Sequence, residues 1–256
     1  MTGTQRRLFI EQYGRIRTAE GRGSSGHDYY RSLPFAPADH PLASQWAIRA
    51  TSYRYFLRYL LPAPGSKILD LGAGNGWLSN RLVELGFAPV AIDIFRDLRD
   101  GLDVARYYDT QFPVLEAEFD RLPVASGQFD LAIFNASLHY SSDYGRTLSE
   151  ARRCLRANGR VLIVDSPIYK VTAHGEAMRA ERQRLFELQY GFRSEALGSI
   201  EFLDEPMLQQ LARELKLRWT IHKPWYGFAW HARPLIAKLK SRRPPSRFWI
   251  LEAHFA

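Results

Sequence analysis

The sequence predicts an α/β protein built on a doubly wound, mostly parallel sheet with helices on both faces. Short apolar segments alternate along residues 67–165 with segments whose apolar side chains recur every three or four positions. A glycine-rich turn joins the first apolar segment to the first helical one. Strands separated by helices in this way form βαβ units, whose strands are parallel.

Length and composition indicate a folded protein with a sizeable core. The chain has 256 residues, of which 46% are hydrophobic and 24% are charged, as in ordinary globular proteins. Its longest apolar runs are far shorter than the ~20 residues of a membrane helix, and no apolar region of a signal peptide follows Met1. Because Cys154 is the single cysteine, no disulfide framework is possible, and we expect a cytoplasmic protein.

The elements of the central region follow from this alternation. The predicted strands cover 67–70, 89–93, 112–116, 129–134 and 160–165, and the predicted helices cover 77–85, 98–108 and 142–155. Gly86 ends the first of these helices, and Asn158-Gly159 closes the last. Each helix is therefore expected to connect two parallel strands.

The two flanks are predicted to form a cap. Residues 1–64 are an N-terminal segment whose clear element is a helix from Leu42 that ends at Pro62, after a loop at Gly21–Gly26. Residues 65–256 form the α/β domain, with a substrate-side insertion at about 166–205. The later predicted elements are helices at 176–190, 205–215 and 233–240 and strands at 217–222 and 247–253.

Charge is distributed unevenly along the chain. The net charge is +8 overall, +5 over residues 1–64, −3 over residues 65–165 and +6 over residues 166–256. Basic flanks of this kind are compatible with an anionic substrate, nucleic acid or a membrane surface. Solvated surface arginines explain the same distribution equally well.

The glycine-rich turn is the first candidate for a ligand site. Gly72, Gly74 and Gly76 open a helix, where backbone N–H groups and the helix dipole can face a ligand without obstruction by a Cβ atom. Asp93 ends the second strand, seventeen residues after Gly76. A carboxylate there can accept hydrogen bonds from a ribose diol.

The spacing of the turn favours S-adenosyl-L-methionine (SAM) over a dinucleotide. The turn is G-x-G-x-G rather than G-x-G-x-x-G, and the bulky Trp77 stands where a pyrophosphate needs close approach to the backbone. The Asp70 carboxylate would repel a diphosphate but suits the ammonium group of an amino acid.

Four motifs in register resemble those of class I SAM-dependent methyltransferases. Ile68–Ser79 looks like motif I and Ala91–Ile94 like motif II. Glu118–Asp130 is similar to the D-x-x-x-LPF-x-x-x-x-FD stretch of the small-molecule (type 11) branch, and Leu148–Ile163 to its L-x-E-x-x-R-x-L-x-x-G-G segment. The resemblance covers about residues 66–166 and implies a Rossmann-like fold.

The resemblance implies a SAM site, with S-adenosyl-L-homocysteine as product. Its residues would be Asp70, Gly72, Ala73, Gly74, Gly76 and Trp77 around the methionine part, Asp93 at the ribose, Ile94, Glu118 and Phe119 at the adenine, and Asn135 near the methionine part. Glu118 stands where the family often has Asp. Ile94 and Phe119 could equally be core residues.

The residues after the fourth and fifth strands are expected to face the reaction. His139 is the candidate general base, because imidazole titrates near neutral pH, although a histidine that only shapes the pocket is the alternative. Asp165 and Tyr169 could bind the acceptor or merely close a turn. Tyr29–Arg31 and Trp225–Trp230 could form the roof of the pocket.

The predicted reaction is methyl transfer to an O or N atom of a small-molecule, lipid or saccharide acceptor. Basic flanks suit an anionic acceptor, and clustered aromatic residues suit a flat or apolar one. Nucleic acid is disfavoured, because Asn135-Ala-Ser-Leu stands in place of the N/D-P-P-Y/F motif and Cys154 lies on a predicted helix away from the loops. No metal is expected, because Asp143 alone supplies no carboxylate cluster.

Two alternatives remain open from the sequence. The first is an RNA-directed methyltransferase that uses the basic flanks. The second is a SAM-binding module without catalysis, because no residue type in the sequence compels a catalytic role. The acceptor molecule and the oligomeric state are not predicted.

Overall fold

The computed structural model describes residues 3–23, 26–191 and 198–256. The helices are α1 (Gly3–Ala19), α2 (His27–Ser32), α3 (Ala43–Tyr59), α4 (Trp77–Glu84), α5 (Tyr144–Cys154), α6 (Thr172–Tyr190), α7 (Glu205–Glu214) and α8 (Phe228–Leu239). The strands are β1 (Lys67–Leu71), β2 (Ala88–Asp93), β3 (Val114–Glu116), β4 (Phe129–Asn135), β5 (Leu155–Val164), β6 (Ile168–Tyr169), β7 (Leu203–Asp204), β8 (Leu217–His222) and β9 (Ile250–Phe255).

Seven of these strands form one sheet, in the order β3-β2-β1-β4-β5-β9-β8. The first five in that order pair in parallel, whereas β9 pairs antiparallel with both β5 and β8. The order reverses between β1 and β4, and the crevice outside the carboxyl ends of the strands at such a point is where open α/β sheets bind ligands. This confirms the predicted fold class.

Both faces of the sheet are buried, as the near-continuous apolar character of the strands predicts. Leu69, Phe134 and Ile163 belong to the core on one face, together with residues of α5 and α7. Ile68 and Ile133 belong to the core on the other face, with α3 and α4. Helices therefore cover both faces and leave the ends of the strands accessible.

Cys154 ends α5 and lies within the first of these cores. Its side chain is fully buried, and burial raises the pKa of the thiol to about 11. The thiol is therefore a packing group, consistent with the expectation that it does not serve as a nucleophile.

Several elements differ from the prediction. Residues 98–108 contain only a 3₁₀ helix at Leu102–Tyr107. β5 starts at Leu155 rather than at residue 160, because Leu155 pairs with Phe129 before an irregularity shifts the register. The predicted Asn158-Gly159 turn lies in that irregularity, and the last strand begins at Ile250 rather than at residue 247.

Other elements were not predicted at all. These are α1, α2 and the two-residue strands β6 and β7, which form a small parallel sheet of their own. Of the predicted loop at Gly21–Gly26, Ser24 and Ser25 lie outside the described residues. Within the described ranges, no helix is long and apolar enough to cross a membrane.

Candidate active site

A cavity of about 890 Å³ lies at the carboxyl ends of the parallel strands. Asp70, Asp93 and Asn135 line it from the ends of β1, β2 and β4, and Asp165 lines it just after β5. Residues of α1, α3 and α8 close its other sides. This cavity therefore lies at the predicted ligand-binding edge of the sheet.

The glycine turn forms one wall of this cavity. Gly72 has a φ of +74°, and a Cβ atom there would lie 2.3 Å from Ser137 Cβ, so only glycine fits against the segment that follows β4. Gly72, Ala73 and Gly74 all line the cavity. Gly76, also at positive φ, is the residue before α4 and is packed against Phe112.

Four backbone N–H groups of the turn are engaged within the protein, which corrects the expectation that they face a ligand. Gly72 and Ala73 both donate to Ile92 O, at 2.8 and 3.0 Å, and Gly76 donates to Ala73 O at 2.9 Å. Gly74 donates to Asp93 Oδ2 at 2.8 Å. The turn thus offers a ligand close approach to the backbone at Gly72 and Gly74 rather than a set of free donors.

Asp70 is a buried carboxyl with one free oxygen. Its side chain accepts a hydrogen bond from Ser79 Oγ on Oδ2, at 2.8 Å, whereas Oδ1 has no hydrogen-bond partner among the described residues. Burial raises the pKa of Asp70 to about 7. An unpaired buried acceptor of this kind is suited to a positively charged donor.

Asp93 is held by the backbone at both of its oxygens. Oδ2 accepts the hydrogen bond from Gly74, and Oδ1 accepts one from Phe95 N at 2.9 Å. Burial raises the pKa of Asp93, and these backbone hydrogen bonds oppose the shift. The carboxylate is therefore fixed in place beside the glycine turn, and its remaining lone pairs can accept further hydrogen bonds.

The residues predicted at an adenine ring line the same cavity. Ile94, Glu118 and Phe119 are half-buried there. The Phe119 ring also packs edge-to-face against Phe134, with 5.6 Å between the ring centroids. Phe119 therefore packs against the core and also lines the cavity, and its contact with an adenine ring stays a prediction.

Trp77 is mainly a core residue. It touches the cavity, but only 5% of its surface is exposed. Its ring packs edge-to-face against Trp46 and Tyr53 of α3, with centroid distances of 6.1 and 5.6 Å. Most of its contact surface therefore joins α4 to α3.

His139 lines the cavity beyond Asn135. Its Nδ1 lies 3.3 Å from Ser166 Oγ, and its ring is tilted on Tyr140 with the centroids 4.5 Å apart. Burial, with Arg182 and Arg49 nearby, lowers the pKa of His139 to about 3. The imidazole is therefore neutral at physiological pH and is a weak base.

Asp165 lies at the opposite end of the cavity from Asp93 along the sheet edge. It is 6% exposed and has a positive φ of 52°, a conformation that few residues other than glycine adopt. Ser52 Oγ of α3 donates to Oδ1, whereas Oδ2 has no hydrogen-bond partner in the described ranges. Burial raises the pKa of Asp165, opposed by Ser52 and Arg49.

Of the predicted roof residues, the structure brings only some to the cavity. Trp230 lines it, together with Arg233 and Phe248. Tyr30, a residue of α2, is fully buried in the core. Tyr169 is also a core residue, edge-to-face against Phe202 with 6.0 Å between centroids, so its predicted role in acceptor binding is not supported.

Helix α1, which the sequence pattern did not place at the site, also contributes to the cavity. Tyr13 of this helix lines the cavity and packs edge-to-face against Phe95 and Tyr140, at centroid distances of 5.2 and 5.9 Å. Arg17 forms an ion pair with the buried Asp100. The spacing of Phe9, Tyr13 and Ile16 is helical and was the available signal.

Comparison with known proteins agrees with this geometry. The sequence model of a methyltransferase domain family matches residues 69–163. An uncharacterized methyltransferase of Mycobacterium tuberculosis is 36% identical over 142 residues, which is 56% of this chain and 50% of that protein. The malonyl-[acyl-carrier protein] O-methyltransferase of Legionella pneumophila is 36% identical over 107 residues, 40% of this chain and 37% of that protein.

A solved structure shows the same fold over most of the chain. It is a Burkholderia thailandensis 1,6-didemethyltoxoflavin-N1-methyltransferase with bound 1,6-didemethyltoxoflavin and S-adenosylhomocysteine, with a TM-score of 0.52 and 18% identity over 91% of each chain. Residues 69–163 are therefore similar to a methyltransferase domain, and the fold is that of solved SAM-dependent methyltransferases. It spans half or less of the length of the two sequence relatives described above.

Proposed function

We propose that this chain transfers a methyl group from SAM to an O or N atom of a small-molecule, lipid or saccharide acceptor and releases S-adenosyl-L-homocysteine. One observation supports this above all. A single cavity runs from the carboxyls of Asp70 and Asp93 to that of Asp165. Cofactor and acceptor can therefore bind side by side in it, as transfer between them requires.

The cofactor end fits SAM in charge and shape. The unpaired Oδ1 of Asp70 would accept a hydrogen bond from the ammonium group, and Asp93 would accept hydrogen bonds from the ribose hydroxyls. Gly72, Ala73 and Gly74 would let the methionine part approach the backbone, with Asn135 beside it. Ile94, Phe119 and Glu118 would surround the adenine.

Gly76 and Trp77 act mainly through packing in this proposal. Gly76 lets the chain turn into α4, since its positive φ of 75° is one that side chains rarely adopt. Trp77 holds α4 against α3. Both residues therefore fix the shape of the cofactor end.

The chemistry at the acceptor end requires a proton acceptor. SAM supplies a methyl group on a sulfonium, from which sulfur departs as a neutral thioether with the electron pair of the broken S–C bond. The acceptor oxygen or nitrogen forms the new bond to carbon and loses its proton to a nearby base.

His139 and Asp165 are the two candidates for that base. The lowered pKa of His139, about 3, makes its imidazole a poor proton acceptor. The raised pKa of Asp165 makes its carboxylate a better one, and Ser52 fixes one of its oxygens. We therefore assign the role of general base to Asp165. His139, which the sequence predicts as the general base, is assigned a role in shaping the pocket instead.

The two flanks supply the acceptor side of the cavity in this proposal. Residues 1–64 contribute Tyr13 and Arg49, and the part of the chain after the sheet's fifth strand contributes Trp230 and Arg233. Arg49 has no ion pair with a described residue, and its guanidinium lies over the Trp46 ring. The cap predicted from residues 1–64 and about 166–205 would thus also draw on α8.

The proposal is tested by binding and turnover in one preparation. Purified protein should bind SAM in calorimetry and should transfer labelled methyl groups to a component of a fractionated cell extract. Asp165→Asn should retain SAM binding and lose the transfer. SAM binding with no labelled product from any fraction would instead indicate a binding module, and labelled RNA would indicate the RNA-directed alternative.

A further inference from the structure

Helix α8 carries an apolar stripe on its outer side. Phe228, Leu235 and Leu239 are 84%, 62% and 77% exposed. Their spacing of seven and four residues places them on one face of the helix. Trp225, just before the helix, is 57% exposed and packs edge-to-face against Phe228. No residue of α8 is buried, so this stripe has no covering element among the described residues.

The opposite face of α8 faces the cavity. Trp230 and Arg233 line the cavity from this helix, two and five residues after Phe228. The helix is therefore a single layer between the acceptor end of the site and the exterior. Whatever binds the apolar stripe lies one helix diameter, about 10 Å, from the acceptor.

The helix is held firmly despite a proline in its interior. Pro234 has no N–H to donate to Trp230 O, and Arg233 Nε donates to that carbonyl instead, at 3.3 Å. Arg233 also donates from Nη2 to Ser246 O at 2.9 Å, and its guanidinium carbon lies 3.1 Å from the centre of the Trp230 ring. The helix that carries the apolar stripe is therefore fixed to the rest of the protein through Arg233.

The segment of the chain that contains the stripe is strongly basic. Residues 215–251 include nine Lys and Arg and no Asp or Glu. Lys238, Lys240 and Arg242 are exposed, and none of the three has an ion pair with a described residue. This run accounts for the basic excess of the C-terminal flank.

We propose that α8 binds the surface of an anionic lipid bilayer. Phe228, Leu235 and Leu239 enter the boundary between headgroups and acyl chains, and the neighbouring lysines and arginine bind lipid phosphates, as in interfacial amphipathic helices. Nucleic acid would use the basic side chains but gains nothing from exposed leucines. A second copy of this chain is disfavoured, because two such positive surfaces repel each other.

This surface also defines the class of acceptor, a step that rests on the proposed function. The acceptor end of the cavity adjoins a membrane-bound helix, so the acceptor is an amphiphile that reaches the cavity from the bilayer. Its apolar part would contact Trp230 and Phe248, which line that end. Binding of α8 to a membrane does not require methyl transfer. The membrane-binding proposal and the proposed function can therefore be tested and rejected independently.

Sedimentation with vesicles tests the docking surface. The intact protein is mixed with vesicles of phosphatidylcholine alone or with a third of phosphatidylglycerol. We expect at least tenfold tighter binding to the anionic vesicles, weakened several-fold by 0.5 M salt. Two triple variants should each weaken binding at least tenfold. The serine triple variant combines Phe228→Ser, Leu235→Ser and Leu239→Ser. The glutamine triple variant combines Lys238→Gln, Lys240→Gln and Arg242→Gln.

Matched controls use exposed residues on other parts of the chain. Leu85→Ser with Leu98→Ser, each 44% exposed before substitution, should leave vesicle binding unchanged. SAM affinity should be the same in all variants and shows that each is folded. Equal binding by the serine triple variant and the parent would overturn the proposal, since only charge would then matter.

Two further outcomes also count against it. If the parent protein is a dimer in sedimentation velocity and the serine triple variant is a monomer, the stripe is a contact between copies. If a single-stranded RNA binds more tightly than anionic vesicles and displaces them, the basic run serves nucleic acid. If the parent protein binds anionic vesicles but transfers no methyl group to any acceptor, the proposed function is overturned and the membrane-binding proposal stands.

Discussion

Ser52 Oγ donates a hydrogen bond to Asp165 Oδ1 and so joins α3 to the end of β5 across 113 residues of sequence. Ser52 Oγ also lies 2.9 Å from the hydroxyl of Tyr226, which donates to Phe248 O at 2.8 Å. Elements from three distant parts of the chain therefore meet at one carboxyl. A left-handed backbone conformation at Asp165 is strained and requires support of this kind. The hydrogen bond from Ser52 to Oδ1 leaves Asp165 Oδ2 as the oxygen without a partner in the described structure.

Replacement of Asp165 should remove catalysis and spare the cofactor. Asp165→Asn keeps the shape of the side chain but cannot take a proton, so turnover should fall ~100-fold or more with SAM affinity unchanged in calorimetry. Because burial raises the pKa of Asp165, turnover of the parent should decrease as the pH falls through a value above the ordinary ~3.9. Asp143→Asn, at another carboxyl that lines the cavity, is the control and should retain most of the activity.

Replacement of His139 should have a smaller effect. With its pKa lowered to about 3, the imidazole does not titrate between pH 5 and 8, so His139→Gln should leave the shape of the pH–rate profile unchanged. We expect less than tenfold loss of turnover from altered packing. A larger loss than in Asp165→Asn, with a flattened profile, would restore His139 as the general base.

SAM binding should strengthen with pH through the ionisation of Asp70. Its pKa of about 7 means that the carboxyl is mostly protonated at pH 5.5 and mostly ionised at pH 7.5, and only the carboxylate attracts an ammonium group. Calorimetry should show several-fold tighter binding at the higher pH. Asp70→Asn should bind weakly at both pH values. Asp103→Asn, at a half-buried carboxyl that pairs with Arg96 and does not line the cavity, should behave as the parent.

The same carboxyl should lower the stability of the ligand-free protein as the pH rises. In the unfolded chain Asp70 titrates near ~3.9, so between that pH and about 7 the folded state binds more protons than the unfolded state. The free energy of unfolding therefore falls with pH across this window. Thermal melts from pH 4.5 to 7.5 should show this fall, and it should be reduced in Asp70→Asn.

Asp93→Ala should weaken SAM binding at least tenfold. The change removes the carboxylate from the cavity and releases the N–H groups of Gly74 and Phe95. Asp97→Ala is a close control, because Asp97 also accepts hydrogen bonds from two backbone N–H groups, those of Arg99 and Asp100. Unchanged affinity in Asp93→Ala would refute its assignment to the ribose.

Trp77→Ala should destabilise the fold. The indole is 5% exposed and fills space between α4 and α3, and truncation of such a side chain costs about 3–5 kcal/mol. Urea unfolding monitored by circular dichroism would measure the change. Trp225→Ala, at a tryptophan that is 57% exposed, should cost well under about 1 kcal/mol.

The central sheet was predictable because its strands carry strong local signals. Val161 to Val164 is an apolar run next to a glycine turn, and Ile68 to Leu71 is one that only Asp70 interrupts. Every strand from β1 to β5 was placed within a few residues, apart from the start of β5. The irregular pairing of Leu155 depends on Phe129 across the sheet. No local pattern contains that information.

The acceptor end was less accessible to sequence reasoning. Tyr13 and Arg17 act only because α1 packs across the cavity, and the partner of Arg17, Asp100, is 83 residues away. Tyr30 was predicted in the pocket roof as part of an aromatic cluster, and Tyr169 was predicted at the cleft because it follows the fifth strand, yet both are buried in cores. Composition alone does not distinguish a ring in a core from a ring in a cavity wall.

The inert Cys154 makes this molecule unusually convenient for site-specific labelling. It is the only cysteine in the sequence, and a fully buried thiol with a pKa of about 11 reacts negligibly with alkylating reagents at neutral pH. A cysteine introduced at Leu239 would therefore be the sole reactive position without any change to the native thiol. A spin label or environment-sensitive dye there would report directly on how deeply α8 enters a bilayer.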